Sequence, residues 1–316
     1  YHADYIACHN KAFIYHYDIL KGLKRRGIFV LNCPWKSSEL DDRLPARMKR
    51  FIAINDIDFY IIDAVNIASR IGLGGRINMI MQAAFFRLAG IIPVEDAVRY
   101  LKDSIEDMYG KKGQKIVEMN KTAVDMGMEA LKKVVVPGKW ADADSGDLRD
   151  GNPDVVCDEP GFVKKIQRPM ARHEGDELPV SAFKDMEDGT FPPGTTAYEK
   201  RGIAVMLPEW QIDRCIQCNQ CSYICPHATI RPFLLDDDEM KSAPATFETK
   251  AAVGKGLEGL GYRIQVSPLD CTGCGNCADI CPAKRKALIM KPAQQQIENQ
   301  IENWEYAAAS VRYKGS

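Results

Sequence analysis

The first 137 residues alternate short apolar runs with longer segments in which apolar residues recur every three or four positions. Residues 17–35, YDILKGLKRRGIFVLNCPW, predict an amphipathic helix, a turn at Gly27 and a buried strand. Residues 50–63, RFIAINDIDFYIID, predict one or two strands beside a turn. Residues 64–136 predict helices, with breaks at the glycines near 72–75, and two surface helices at the end. Residues 1–137 are therefore expected to form an α/β domain that is incomplete at its N-terminus.

The pattern changes after Pro137. Residues 138–208 are rich in Pro, Gly and Asp and show little periodicity, which predicts an irregular linker domain. In the cysteine-rich part, 209–292, YRIQVS at 262–267 alternates as a half-exposed strand does, and GIAVML at 202–207 is its predicted counterpart upstream. Residues 293–316 predict a polar helix that leads to a following domain.

Charge and hydropathy give no support to nucleic acid or a membrane as a partner. The 316 residues carry 42 Lys and Arg against 43 Asp and Glu, a formal net charge of -1, so no global field attracts nucleic acid or an anionic membrane. The least polar stretch, 78–94, contains Gln82 and Arg87 and predicts a buried helix instead of a membrane span. The chain begins with Tyr1, lacks a signal-peptide pattern, and is expected to belong to a longer polypeptide.

Eight of the eleven cysteines form two runs of identical spacing, CxxCxxCxxxCP. The first motif is CIQCNQCSYICP at 215–226, and the second motif is CTGCGNCADICP at 271–282. Because IRPF follows one and LIMKP the other, we interpret the pair as an internal duplication. The other three cysteines, Cys8, Cys33 and Cys157, are scattered. An unpaired remainder of three argues against a secreted disulfide framework and favours a reducing cytoplasm.

This spacing is typical of bacterial domains with two [4Fe–4S] clusters, in which the fourth cysteine of each run binds the other cluster. The predicted ligands of cluster one are Cys215, Cys218, Cys221 and Cys281. The predicted ligands of cluster two are Cys271, Cys274, Cys277 and Cys225. Interlocked ligation would hold the two clusters near each other as a short electron relay. The predicted fold class is thus multidomain: an α/β domain, an irregular linker domain and a ferredoxin-like α+β domain.

Two alternatives compete with an electron relay. Structural zinc sites would use paired CxxC knuckles and have no use for a third evenly spaced cysteine. The clusters could also be wholly structural.

Around the motifs, Gly273 and Gly275 suit a loop whose backbone approaches a cluster closely. Three isoleucines are predicted to supply an apolar shell: Ile216, Ile224 and Ile280.

Two other features near the motifs have modest interpretations. His227 follows the first motif directly and is interpreted as a packing residue ahead of a proton-coupling role. The acidic run LLDDDEM at 234–240 is interpreted as a solvated face, with a docking role as the lesser alternative.

Several segments, in order, resemble the pyruvate:ferredoxin (flavodoxin) oxidoreductase family. They are ACHNKAFIYHYDILKGLKRRGIFVLNCPW at 7–35, GLGGRINMIMQAAFF at 72–86, YEKRGIAVMLPEW at 198–210 and the two cysteine motifs. The resemblance covers nearly the whole chain and corresponds to the central portion of such an enzyme. It implies a gamma-type α/β domain at 1–137, an EKR-type linker at 138–208, a two-cluster domain at 209–292 and a connector at 293–316.

The resemblance also implies an activity. Pyruvate, coenzyme A and two oxidised ferredoxins would give acetyl-CoA, CO2 and two reduced ferredoxins, with flavodoxin as another acceptor. Thiamine diphosphate, Mg2+ and a third [4Fe–4S] cluster are implied for the rest of the enzyme, together with a homodimer. No residue of this segment is predicted to be catalytic, and alone it is not expected to be competent.

Alternatives and lesser candidates remain at this point. The rivals are a related 2-oxoacid or pyruvate:NADP oxidoreductase and a non-catalytic electron-carrier subunit with two [4Fe–4S] clusters. GLGGR at 72–76 is interpreted as close helix packing ahead of a coenzyme A neighbourhood. Cys8 and Cys33 are interpreted as small buried apolar residues. Glu199, Lys200 and Arg201 are expected to orient the link into the cluster domain.

Overall fold

The structure, a computed structural model, describes residues 2–143 and 159–314. The chain forms two compact units, residues 1–198 and 199–316. The division groups residues 199–208 with the cysteine-rich unit, while the domain boundaries drawn from the sequence stay predictions. Cys157 lies outside the described residues. Among the described residues, no helix is long and apolar enough to cross a membrane.

The first unit contains a four-stranded sheet in the order β1-β2-β3-β4. The first three strands are parallel and the short fourth is antiparallel: β1 (Ala3–Cys8), β2 (Leu23–Asn32), β3 (Asp58–Ile62) and β4 (Lys132–Lys133). The helices, in chain order, are α1 (Phe13–His16), α2 (Leu40–Arg43), α3 (Ala46–Ile54), α4 (Ala64–Arg70), α5 (Asn78–Ala89), α6 (Val94–Tyr109), α7 (Gln114–Glu129) and α8 (Arg168–Ala171).

Successive side chains of β2 lie in two different hydrophobic cores, one on each face of the sheet. Phe29 and Leu31 enter a core on one face of the sheet, and Val30 enters the core on the other. Phe29 also stacks on Phe59 of the neighbouring strand, with ring centroids 5.3 Å apart. Because successive strand residues point to opposite faces, the apolar run IFVL of this strand covers both sides of a buried parallel sheet. The predicted α/β class is confirmed.

The amphipathic helix predicted before Gly27 is wrong. A turn follows α1, and β2 already begins at Leu23, ahead of the basic residues of LKRRG. The register between β1 and β2 shifts across this stretch, and Arg26 has φ +59°. Lys24 lies 2.7 Å from Asp4, and Arg25 lies 2.8 Å from Asp56. The basic residues therefore form a bulged strand end held by neighbouring carboxylates, which mimics the spacing of a helix.

The segment 50–63 is half helix. Residues up to Ile54 belong to α3, in which Met48 and Ile52 are buried four positions apart, and only Asp58–Ile62 form a strand. The later helices agree with the prediction. Helix α7 packs closely on α5, because a Cβ at Gly127 would lie 2.7 Å from the carbonyl oxygen of Ile80.

Residues 159–198, within the predicted linker, are irregular as predicted. A π-helical stretch, Val163–Gln167, runs into α8 and is followed by isolated 3-10 turns. The buried carboxylate of Glu159 binds Arg168, which also donates to the carbonyl of Tyr198 at 2.7 Å.

The second unit repeats one strand–motif–strand arrangement twice. Its elements, in chain order, are β5 (Met206–Trp210), α9 (Gln220–Ile224), β6 (Ile230–Leu235), α10 (Asp237–Ser242), β7 (Lys250–Ala251), β8 (Gly261–Val266), α11 (Asn276–Ile280), β9 (Leu288–Pro292) and α12 (Ile297–Ser310). Strand β5, before the first motif, pairs antiparallel with β9, after the second motif. Strand β6, after the first motif, pairs with β8, before the second. The two halves are therefore crossed.

Two strand predictions need correction. The strand before the first motif begins at Met206, so only the end of GIAVML is extended. Strand β8 is where YRIQVS predicted it, but it is buried on both faces instead of half exposed. Tyr262, Ile264 and Val266 enter the core beside the cysteines. On the other face, the Gln265 side chain donates to that of Gln300 in α12 at 2.6 Å.

Helix α12 forms as predicted and packs back onto its own unit. Within it, Asn303 is buried and accepts a hydrogen bond from Thr246 at 3.0 Å. Beyond the helix, Lys314 lies 2.6 Å from Glu239 and 3.2 Å from Asp236. These two members of the acidic run thus form ion pairs within the chain, while Asp236 also caps α10.

Candidate metal centre

The cysteines predicted to bind cluster one surround a single cavity, which we call cavity one. It encloses about 340 Å3, counting its open mouth. Its four cysteines are Cys215, Cys218, Cys221 and Cys281. The fourth comes from the second motif, because the pairing of β5 with β9 brings the end of that motif beside the start of the first.

The cysteines predicted to bind cluster two surround a separate cavity, cavity two. It encloses about 360 Å3 on the same measure. Its four cysteines are Cys225, Cys271, Cys274 and Cys277. Here Cys225 comes from the first motif, because the pairing of β6 with β8 brings the end of that motif beside the second. The structure therefore brings together both sets that the spacing predicted, each with one cysteine exchanged between motifs.

The backbone of the two motif loops has the same unusual conformation. In the second motif Gly273 and Gly275 have φ +72° and +84°. The equivalent positions of the first motif are Gln217 and Asn219, both at φ +59°. A left-handed conformation strains a residue with a side chain. Hydrogen bonds offset that strain, since the hydroxyl of Tyr262 donates to the Asn219 amide oxygen at 2.6 Å and Gln217 bonds the backbone of the β7 region.

Close approach explains one of these glycines. A Cβ at Gly273 would lie 2.8 Å from the carbonyl oxygen of Met206, whereas a Cβ at Gly275 would have nothing within 4 Å. The N–H of Gly273 lies 3.4 Å from the Cys271 sulfur, and the N–H of Ala287 lies 3.4 Å from the Cys281 sulfur. Such N–H···S contacts are among those that set a cluster potential.

Burial makes some of these thiols harder to ionise, while hydrogen bonds make another easier to ionise. Burial, and then the neighbouring cysteines, raise the pKa of Cys221 to about 11 and that of Cys277 to about 12. Burial would also raise the pKa of Cys225, but the Thr229 hydroxyl at 3.4 Å and nearby backbone N–H groups lower it overall. Metal binding requires thiolates. Cationic iron would supply the charge that stabilises four thiolates together.

The apolar shell differs from the predicted one. Ile216 lines cavity one but is 62% exposed, and Ile224 and Ile280 are exposed as well. The apolar walls of cavity one come from Trp210, Tyr262, Ile264 and Leu288. Those of cavity two come from Pro208, Ile230, Val266 and Met290. The three isoleucines are therefore surface residues beside the motifs, because strand residues already close the inner side.

The donor sets fit cubanes. In tetrahedral zinc sites the sulfurs approach to about 3.8 Å, because each Zn–S bond is about 2.3 Å. In a [4Fe–4S] cubane each thiolate binds a different iron, so the cysteines stand around a cavity.

Several site residues carried no signal in the sequence. Thr229 follows the first motif and contacts Cys225. His227, which the sequence does single out and which is interpreted there as a packing residue, is instead exposed at the rim of cavity two. Lys250 and Lys286 donate to backbone carbonyls of Cys215 and Cys281, respectively. Their positions depend on pairings across the unit, so no local pattern identifies them.

The remaining candidates in the first unit are structural. Cys8 and Cys33 are buried at the carboxyl ends of β1 and β2, as predicted. In the GLGGR loop, Gly72 has φ +84°, and a Cβ there would lie 3.1 Å from Met119. Gly74 and Gly75 have no neighbour within 4 Å of a Cβ. Helix packing therefore accounts for one glycine of the loop.

The crossed strands and cysteine-lined cavities define the second unit as a ferredoxin-type iron–sulfur module. Comparison with protein families agrees: residues 214–285 match the 4Fe-4S dicluster domain. Residues 1–130 match pyruvate ferredoxin/flavodoxin oxidoreductase, and residues 149–204 match EKR, a domain of unknown function.

Individual relatives extend the same similarity over nearly the whole chain. A pyruvate-flavodoxin oxidoreductase of Enterobacter agglomerans is 56% identical over 96% of this chain and 25% of its own length. A pyruvate:ferredoxin oxidoreductase of Moorella thermoacetica is 55% identical over the same shares. A mitochondrial pyruvate dehydrogenase [NADP(+)] of Euglena gracilis is 45% identical over 96% of this chain and 16% of its own. The resemblance to pyruvate:ferredoxin (flavodoxin) oxidoreductases is confirmed, and the chain spans about a quarter of the length of the first two relatives.

Proposed function

We propose that this chain is the electron-relay portion of an enzyme that oxidises pyruvate with coenzyme A to acetyl-CoA and CO2. The observation that supports this most strongly is the exchange of one cysteine between two otherwise sequential sets around the two cavities. That exchange is what two interlocked [4Fe–4S] clusters require. The chain's relatives are named for the oxidation of pyruvate.

The eight cysteines would hold two [4Fe–4S] clusters, which supply one-electron transfer when bound. The crossed strand pairs keep the two sets of ligands at a fixed separation. Trp210 and Tyr262 wall cavity one, and Ile230 and Val266 wall cavity two, so the inner side of each is largely apolar. Fixed backbone dipoles then replace water around the thiolates.

The proposal extends to partners outside this chain. The electrons would leave to ferredoxin or flavodoxin, the acceptors in the names of the relatives. Thiamine diphosphate, Mg2+, a third cluster and the main coenzyme A contacts would belong to the rest of the enzyme, a homodimer. A cytoplasmic location is supported by the scattered Cys8 and Cys33, both free thiols in the structure.

Metal analysis tests the proposal. The full-length protein, purified without oxygen, should contain iron and acid-labile sulfide in equal amounts. About eight of each should come from this chain, since it would hold two [4Fe–4S] clusters. Reduction with dithionite should give EPR signals of spin-coupled [4Fe–4S] clusters, two of which belong to this chain. Stoichiometric zinc in place of iron would refute the proposal.

A second candidate differs only in the acceptor. Relatives named pyruvate dehydrogenase [NADP(+)] are 45% and 43% identical to this chain, which supports a pyruvate:NADP oxidoreductase as the alternative. The full-length protein supplied with pyruvate and coenzyme A should reduce ferredoxin or flavodoxin and leave NADP+ unchanged. Direct NADPH formation would favour the alternative.

A further inference from the structure

One ion pair lies directly beside the second motif. The Lys200 ammonium is 2.6 Å from a carboxylate oxygen of Asp270, the residue that precedes Cys271. Both side chains are largely buried, at 18% and 23% exposure. The Ser267 hydroxyl donates to the same carboxylate oxygen at 2.5 Å. Asp270 therefore has a cation and a neutral donor on one oxygen, inside the loop that begins the second motif.

This small network reaches two ligands of cluster two, one from each motif. Cys271 donates its backbone N–H to the Ser267 carbonyl at 3.1 Å. The Ser267 N–H donates to the Thr229 carbonyl at 2.7 Å, and the Thr229 hydroxyl contacts the Cys225 sulfur at 3.4 Å. Ser267 and Thr229 are 1% and 4% exposed. Hydrogen bonds thus connect Lys200 to both halves of the cluster-two ligand set.

The backbone around Lys200 is also hydrogen-bonded to the segment that leads into the second motif. Lys200 has φ +41°, which is unusual for a residue with a side chain, and Gly202 donates to the Leu269 carbonyl at 2.8 Å. In the first motif the residue equivalent to Asp270 is Arg214, so this ion pair has no counterpart there. The lysine of the EKR triplet is therefore specific to one of the two motifs.

Charge gives this pair an effect on reduction. A cluster becomes more negative when it gains an electron, so a nearby cation favours the reduced form and a nearby anion disfavours it. While Lys200 and Asp270 are paired, their charges largely cancel. Removal of either partner leaves one uncompensated charge next to Cys271, and the two removals leave charges of opposite sign.

We propose that Lys200 is a positioning residue of cluster two: it fixes the Asp270 loop around Cys271 and neutralises the Asp270 carboxylate, which sets the cluster's reduction potential. This inference rests on the proposed function, because it presumes that the second set of cysteines holds a cluster. It gives a role to the EKR triplet, whose matching family carries no known function.

Redox titration followed by EPR in the full-length protein tests the inference. Lys200→Met should lower the potential of one cluster, and Asp270→Asn should raise the potential of the same cluster. We expect a several-fold change in the reduced-to-oxidised ratio at fixed potential, where tenfold corresponds to about 59 mV. The double variant should return toward the unaltered protein, and Lys200→Arg should keep its potential.

The opposite signs of the two potential shifts distinguish an electrostatic effect from loosened packing, because loosened packing would shift the reduction potential in the same direction in both single variants. The matched control is Arg201→Gln, because Arg201, among the residues that the structure describes, forms an ion pair only with the half-exposed Glu199 at 3.5 Å in its own triplet. If Lys200→Met loses the cluster, the sign of the shift in Asp270→Asn and an unchanged potential in Lys200→Arg still test the inference. Shifts of the same sign, or none, would overturn the inference. Absence of both clusters from the unaltered protein would instead overturn the proposed function.

Discussion

The ammonium group of Lys250 donates to the backbone carbonyl of Cys215 at 3.0 Å. It also donates to the carbonyl of Ile212 at 3.0 Å, so one side chain holds both sides of the turn that enters the first motif. At the other end of the same ligand set, Lys286 donates to the carbonyl of Cys281 at 2.8 Å. Cavity one thus has two cations attached to the backbone of its cysteines.

We therefore predict that Lys250→Met lowers the reduction potential of cluster one. The lost positive charge would no longer favour the reduced cluster, and the shift should be on the order of tens of millivolts, by the relation of about 59 mV per tenfold change. Redox titration by EPR measures it. Lys255→Met, at an exposed position between β7 and β8, is the control and should leave both potentials unchanged. An unchanged potential in Lys250→Met would show that this cation is too well screened to matter.

The Gly273 contact predicts a cluster-specific defect. Gly273→Ala should reduce the iron of cluster two, because the new Cβ would lie 2.8 Å from the Met206 carbonyl. Gly275→Ala is a matched control with nearly the same left-handed φ but open space around its Cβ. Both variants lose about 1 kcal/mol or more from the backbone conformation, so the difference isolates the steric contact. Equal iron content in the two variants would contradict this explanation.

Cys8 and Cys33 should be unreactive in the folded protein. Burial raises the pKa of Cys8 to about 11 and that of Cys33 to about 12, and only the thiolate is nucleophilic. Iodoacetamide at pH 8 should therefore label neither in the folded state and both after denaturation, as read by mass spectrometry. Rapid labelling of Cys33 in the folded protein would contradict the assignment.

The same raised pKa values determine the direction in which the free energy of unfolding changes with pH. A thiol with a raised pKa keeps its proton in the folded state after the unfolded chain has released it. The contribution of Cys33 to stability is thus complete below about pH 9, its ordinary pKa, and falls as the pH rises toward 12. Cys33→Ala should flatten the dependence of the unfolding free energy on pH above 9, and it should do so more than Cys8→Ala, because the pKa of Cys8 is raised only to about 11. An unchanged pH dependence in Cys33→Ala would contradict this.

The sequence predicts the parts of this fold in which the local pattern is strong. The two cysteine runs indicated the sets that surround the cavities, and Gly273 marked a close backbone approach. The predicted helix before Gly27 failed because LKRRG has helical spacing but bonds carboxylates as a bulged strand end. The cations near the cysteines could not be predicted, since Lys250 is 35 positions from Cys215 and Lys200 is 70 positions from Asp270. Their roles depend on strand pairing.

The exchange of one cysteine between the motifs is tested most directly by four single Cys→Ala variants compared by EPR. Cys281→Ala should lose the same cluster signal as Cys215→Ala, although Cys281 belongs to the second motif. Cys225→Ala should match Cys271→Ala and lose the other signal. If Cys281→Ala instead matched Cys271→Ala, each motif would bind its own cluster, and the interlocked relay would be wrong.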